Sequence, residues 1–228
     1  MLSRHQLILR WSGFVCLYLM LPVGMIFAPA WIKLTFGISI RSCVIPVLLL
    51  AALVVYGIGA LRGMIRAGDL FRLGVPCAAW RKMLLRWLFF SSLLTALLAG
   101  IDADRLFLFP AKQPRFWGIV MIAYPILSVL AQGILFRWFY DAVFAPLFRT
   151  PRASLLAGAA VFAFAHILFL NPWAILFTFL GGILFLSSYR ETGSLLFSGI
   201  EHALYGNALF TIGWGAYFYQ GTVALLAN

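Results

Sequence analysis

Charge is what this chain has least of. Only 10% of its 228 residues are Asp, Glu, Lys or Arg, and just six of those are acidic. A soluble domain carries about 25% charged residues, so the polar shell that water demands is missing. No polar stretch is long enough to form a separate soluble domain. Cysteine is scarce too. Cys16, Cys43 and Cys77 are scattered without ligand spacing, which excludes a cysteine-rich metal module and a disulfide framework. Cys16 and Cys43 lie in apolar runs and read as small packing residues. Alternation of polar and apolar residues is absent, and the apolar runs are about twice a barrel strand's length, which argues against a transmembrane barrel. No internal repeat or low-complexity tract is visible. Nothing resembles a nucleic-acid motif, so no nucleic-acid partner is expected.

Hydrophobic residues are what the chain has instead. They make up 64% of it, with 22 Phe, 8 Trp and 8 Tyr, against about 45–50% in a globular domain. Surplus apolar surface of that size has to face lipid. The expected class is an all-α polytopic membrane protein of about eight spans, seven being the other count. Seventeen basic residues give a net charge of +11, and most lie between apolar runs, where they meet anionic headgroups and set topology.

A spanning helix needs about 20 mostly apolar residues. Residues 7–30 supply the first, led by Arg4 and Arg10. Ala28-Pro29-Ala30 mimics a small-residue cleavage site, but the apolar core is longer than a signal peptide's, and a retained span is the expectation. The second span is 43–61. Residues 62–86 hold Arg62, Arg66, Arg72, Arg81, Lys82 and Arg86 against Asp69 alone. They mark the cytoplasmic side and read as an interfacial amphipathic piece. The third span is 83–101, followed by an opposite-side loop over 102–116. Residues 117–148 exceed one upright helix, and are expected to tilt or to extend past the bilayer. Spans over 154–170, 174–189, 194–210 and 211–227 complete the count. An even number leaves both termini cytoplasmic. Residues 1–116 form the N-terminal helices and basic segment, and 117–228 the core that carries the polar residues, within one membrane domain.

Polar side chains inside spans are costly and so become functional candidates. They gather in the second half: Gln132, Arg137, Asp141, His166, Glu201, His202 and Asn207. Arg137 and Asp141 are four apart and can pair on one helix face. Two neutral histidines from different spans can bind a metal, polarise a carbonyl or shuttle a proton. Asn207 is five residues past His202, about 140° round a regular helix; a kink or π-bulge near Gly206 would bring the two together. Glu201 adjoins His202 but points about 100° away.

The stretch Tyr124-Pro125-Ile126-Leu127-Ser128-Val129-Leu130-Ala131-Gln132-Gly133-Ile134-Leu135-Phe136-Arg137 resembles the first motif of the CPBP family, the CAAX-protease and bacteriocin-processing (Abi) intramembrane proteases. Phe162-Ala163-Phe164-Ala165-His166 is similar to its second motif, and Glu201-His202-Ala203-Leu204-Tyr205-Gly206-Asn207 to its last. Gly181-Gly182 and the turn at Tyr189–Leu195 resemble the approach to that last motif.

The resemblance implies an intramembrane endopeptidase acting on membrane-embedded or lipidated peptides, with His166 and His202 holding the carbonyl or oxyanion and Asn207 adding a hydrogen bond. Phe162 and Glu201 are the expected substrate contacts. Arg137 would position a glutamate one turn earlier. That glutamate, the family's general base, is missing: the two positions are Gln132 and Gly133. Gln132 can orient a water but accepts no proton at neutral pH. Arg137 is then left to pair with Asp141 or Glu201. Asp141, about 12 Å from Gly133 along a helix axis, is too distant to replace the base, and Glu201 could do so only on an unusually rotated helix. No cofactor is obligatory; zinc on His166 and His202 is possible in principle, but two histidines and an amide make a poor site. Three functions stay open: a weakened or inactive endopeptidase, a non-catalytic scaffold that binds transmembrane or lipidated peptides, and a small transporter, which the lack of an inverted repeat disfavours. The subgroup most resembled is bacterial, which implies the inner membrane. Oligomeric state stays open.

Overall fold

The computed structural model describes residues 3–27, 40–64, 72 and 74–218. Among these the chain is helical throughout, with no strand. We number the helices α1 (Arg4–Phe27), α2 (Ile40–Leu61), α3 (Cys77–Ile101), α4 (Leu108–Lys112), α5 (Pro114–Leu147), α6 (Pro151–Phe169), α7 (Pro172–Thr192), α8 (Leu195–Ile212) and α9 (Gly215–Phe218).

Helix starts follow local chemistry. Ser3 and Gln6 form a reciprocal capping box at α1, and Thr150, Asn171 and Ser194 accept backbone N–H bonds at the heads of α6, α7 and α8. Each such cap satisfies a donor that a helix N-terminus leaves open. Proline opens α5, α6 and α7, where its missing N–H costs nothing.

Six helices are long and apolar enough to cross a bilayer: α1, α2 from Cys43, α3, α5, α6 and α7. The protein is therefore an integral membrane protein. α8 is a seventh long helix of 18 residues; Glu201, His202 and Asn207 make it less apolar, and it lies packed against α3, α5 and α7. Large side chains such as Leu53, Leu85, Phe89 and Ile122 point outward, where lipid tails meet them.

Several expected boundaries shift. α3 starts at Cys77, not near 83, because Pro76 marks the break and Arg81, Lys82 and Arg86 ride inside the helix. The other residues of the expected amphipathic piece lie largely outside the described residues, as does the stretch around Ala28–Ala30. Residues 102–116 are folded rather than a loop: a 3-10 turn over Ala103–Arg105, α4 and the first turn of α5. The expected eighth span begins inside α8, which Gly213 ends at φ 126°, and continues through α9 to residues outside those described.

α5 is the centre of the bundle. Over Tyr124–Val129 and Ile134–Phe144 it widens into π-helix, a geometry frequent at functional sites. Pro125 has no N–H to give Met121 O, its partner four residues back in an α-helix. Asn207 Nδ2 on α8 donates to that carbonyl instead, at 3.1 Å. On the other side, Tyr18 Oη donates to Leu135 O at 2.7 Å, and the Tyr18 ring packs edge-on to Phe144 and Phe14 with centroids 5.4 Å away. α6 and α7 approach through small residues: a Cβ built on Gly182 would lie 2.9 Å from Ala159 Cα.

Candidate active site

The middle of the bundle holds a cavity of about 1270 Å³, lined mostly by apolar side chains from α1, α2, α3, α5, α6, α7 and α8. A few polar groups converge on it, the usual composition of a binding pocket. α5 contributes Tyr124, Ser128 and Gln132, spaced four apart and so stacked along one face. α6 contributes Phe162 and His166, and α8 contributes His202 and Tyr205. The two histidines and Gln132 thus share one chamber. The Phe162 ring stands between the imidazoles, with centroids 4.8 Å from His166 and 5.6 Å from His202.

Hydrogen bonding gives the two rings different faces. His166 Nδ1 lies 2.7 Å from Phe162 O. A carbonyl only accepts, so Nδ1 carries the proton and Nε2 keeps its lone pair. His202 Nδ1 lies 3.2 Å from Arg137 Nη2. A guanidinium only donates, so here Nδ1 holds the lone pair and Nε2 the proton. That Nε2 is 3.0 Å from Tyr124 Oη. Phe185 stacks on the other side of His202 at 4.4 Å, which fixes the ring plane.

Arg137 is buried and does not pair with Asp141 or Glu201. It donates to Ser198 O at 2.8 Å, Ser198 Oγ at 3.0 Å and Val129 O at 3.3 Å, besides His202. Asp141 is taken by Arg190 of α7 at 2.7 Å. Glu201 is fully buried and bound to Arg86 of α3 at 2.8 Å, with Ser188 on the same guanidinium nitrogen. It does not line the chamber, so neither the expected substrate contact nor a substitute base is found there.

Gln132 Nε2 donates to Ser128 Oγ at 2.6 Å, while its Oε1 is buried without a protein partner. Gly133 sits behind the chamber wall. A Cβ there would be 3.0 Å from Arg137 Nη2, so a side chain at 133 would run onto the guanidinium. Asn207 is not brought to His202: α8 stays α-helical past Gly206, and the amide serves Met121 O instead.

A metal does not suit these residues. Both His202 nitrogens are engaged, and no three His, Cys, Asp or Glu converge among the described residues. A mononuclear zinc site takes at least three protein ligands.

The sequence reading missed Tyr124, Ser128, Tyr205 and Ser198. The signal for three of them was the four-residue spacing, Tyr124-Ser128-Gln132 on α5 and Ser198-His202 on α8, which lines polar atoms along a single helix face.

Residues 114–208 match the family model described as type II CAAX prenyl endopeptidase Rce1-like. The match runs from the first residue of α5 to the last turns of α8 and takes in Tyr124, Ser128, Gln132, His166, His202 and Tyr205 of the chamber. No curated protein and no solved structure matches the chain.

Proposed function

We propose that this chain, whose residues 114–208 match the Rce1-like model of type II CAAX prenyl endopeptidases, binds lipidated or transmembrane peptide segments in its central chamber and has lost efficient cleavage. One observation carries this reading: none of the described side chains lining the chamber is a carboxylate. Hydrolysis needs a group that takes a proton from the attacking water. Where the family places a glutamate, Gly133 offers no side chain. Binding needs no such group. A large apolar chamber suits an acyl or prenyl chain or an apolar helix, and Tyr124 and Gln132 offer hydrogen bonds to a peptide carbonyl.

A second reading keeps slow proteolysis. It is favoured by His166 Nε2, whose lone pair has no protein partner. In that reading Nε2 takes a proton from water, the hydroxide adds to the carbonyl, and the imidazolium returns the proton to the departing amine. Atoms balance without a cofactor.

The test is purified full-length protein in lipid nanodiscs with a fluorescent farnesylated peptide. Saturable binding with no cleavage by mass spectrometry is the expected result, and Gly133→Glu is expected to gain cleavage. Cleavage by the unaltered chain, abolished by His166→Ala, would overturn the non-catalytic reading and establish the second. We assign the basic segment around 62–86 with Arg149, Arg152 and Arg190 to the cytoplasmic face of a bacterial inner membrane. Protease protection of tags at each terminus in spheroplasts checks it, with both tags expected to be protected.

A further inference from the structure

We propose that Tyr124 is the chamber's carbonyl-binding donor, aimed there by a one-way hydrogen-bond chain that starts at Arg137. Each link follows from what its atoms can do. Arg137 has five N–H groups and no acceptor. Two on Nη1 go to Ser198 O and Oγ; Nη2 serves Val129 O and His202 Nδ1. The guanidinium is held on both sides and cannot rotate away without leaving buried carbonyls without donors. His202 must therefore accept at Nδ1 and donate at Nε2. Tyr124 Oη, 3.0 Å away, receives that proton as an acceptor. Its own O–H then points elsewhere, and Tyr124 lines the chamber. With one lone pair taken by the His202 N–H, the hydroxyl keeps its own O–H to donate, and the charge at the far end of the chain polarises each link in turn.

Packing holds the ring in place. A Cβ on Gly206 would overlap the Tyr124 hydroxyl, so the phenol rests in a notch that only glycine leaves open. Phe210 packs edge-on at 5.4 Å. The chain also depends on Gly133. Arg137 Nη2, the nitrogen that reaches His202, is the atom a Cβ at 133 would approach to 3.0 Å. The guanidinium reaches the histidine through space that a glutamate would fill. His202 is thus neither a base nor a metal ligand here but the middle link of a donor chain, and Arg137 and His202 are positioning residues for Tyr124.

The ligand chemistry is a hydrogen-bond acceptor of the peptide-carbonyl type. This rests on the chamber being a peptide site. The test uses full-length protein labelled with ¹⁵N-histidine, which has only His5, His166 and His202 to assign, and the same fluorescent farnesylated peptide. The unaltered chain is expected to show His202 protonated at Nε2 and unprotonated at Nδ1, with His166 the reverse. Tyr124→Phe keeps the ring, removes the hydroxyl, and is expected to move the His202 Nε2 resonance and to weaken peptide binding roughly three- to tenfold, the worth of one hydrogen bond. Arg137→Lys is expected to shift His202 Nδ1. The His166 resonances report in both variants whether the fold persists. A His202 protonated at Nδ1, or Tyr124→Phe with unchanged affinity in a protein that binds the peptide, overturns the proposal. If the unaltered chain binds no peptide while its tautomers are as described, the peptide-site reading fails and the donor chain stands.

Discussion

Arg86→Met and Glu201→Gln remove opposite halves of one ion pair, and their costs should differ sharply. The Glu201 side chain is 0% exposed and that of Arg86 is 24% exposed, with 2.8 Å between their charged atoms. When Arg86 is removed, a carboxylate is left in a lipid-enclosed interior, where Ser188 is its remaining hydrogen-bond partner, Arg137 acts on it only through space, and Oε2 already lacks a partner. Breaking a buried pair in this way costs about 3–5 kcal/mol. When Glu201 becomes Gln, the amide oxygen can still accept from Arg86, which also keeps Ser188 and a route to the headgroups. That change should cost about 1–2 kcal/mol, the worth of a charge-assisted bond reduced to a neutral one. The double variant should recover much of the Arg86→Met loss, since no bare charge remains. Thermal unfolding in mild detergent, followed by tryptophan fluorescence, reads the series. At about 2–4 °C per kcal/mol for a chain of this size, Arg86→Met should lower Tm by roughly 6–20 °C and Glu201→Gln by only a few degrees. Equal losses in the two single variants, or a double variant that is merely additive, would refute the assignment of the cost to a stranded carboxylate.

Three further substitutions test other parts of the fold. Tyr18→Phe removes the donor to Leu135 O inside the π-helical part of α5 and should cost about 1–2 kcal/mol in the same thermal assay, with faster amide exchange near residue 135 by mass spectrometry. Gly182→Val places a branched side chain where a Cβ already comes within 2.9 Å of Ala159 Cα; it should cost about 1–3 kcal/mol and widen the α6–α7 separation measured between spin labels. Asn207→Ala strands Met121 O and should lower Tm by an amount corresponding to about 1–3 kcal/mol, while peptide affinity, corrected for folded fraction, stays unchanged. A loss of affinity beyond that correction would return Asn207 to the binding machinery.

Much of this fold could be read from the sequence because lipid imposes simple rules. Apolar runs of spanning length marked α1, α2, α3, α6 and α7, and the 32-residue apolar stretch over 117–148 pointed to a helix too long for one upright crossing. His166, His202 and Gln132 stood out because polar groups in oil need a reason, and they do share a chamber. What the sequence hid was choice of partner. Arg137 and Asp141 are ideally spaced for an ion pair, yet Arg190 claims Asp141 and the Ser198 carbonyl claims Arg137. Those competitors lie 49 and 61 positions away along the chain, and helix spacing is blind to them. Asn207 lies five residues past His202, and only a kink or π-bulge near Gly206 would bring the two together. Its partner is the carbonyl that Pro125 leaves open, a backbone debt visible only once α5 and α8 are seen to be packed. The amphipathic expectation for 62–86 gave way at its C-terminal end because long basic side chains can ride on a helix if their heads find carboxylates, as Lys82 does with Glu191.

The dependence of α8 on Arg86 and Met121 bears on how the chain is made. A helix bearing Glu201, His202 and Asn207 is a poor client for the insertion machinery when it emerges alone, since each of those groups opposes entry into hydrocarbon. Its counter-ion on α3 and its acceptor carbonyl on α5 are synthesised earlier, so both already wait in the bilayer when α8 arrives. Biogenesis therefore has a built-in order: a nascent protein with a faulty α3 would stall at α8 and be exposed to membrane quality control before any chamber had formed.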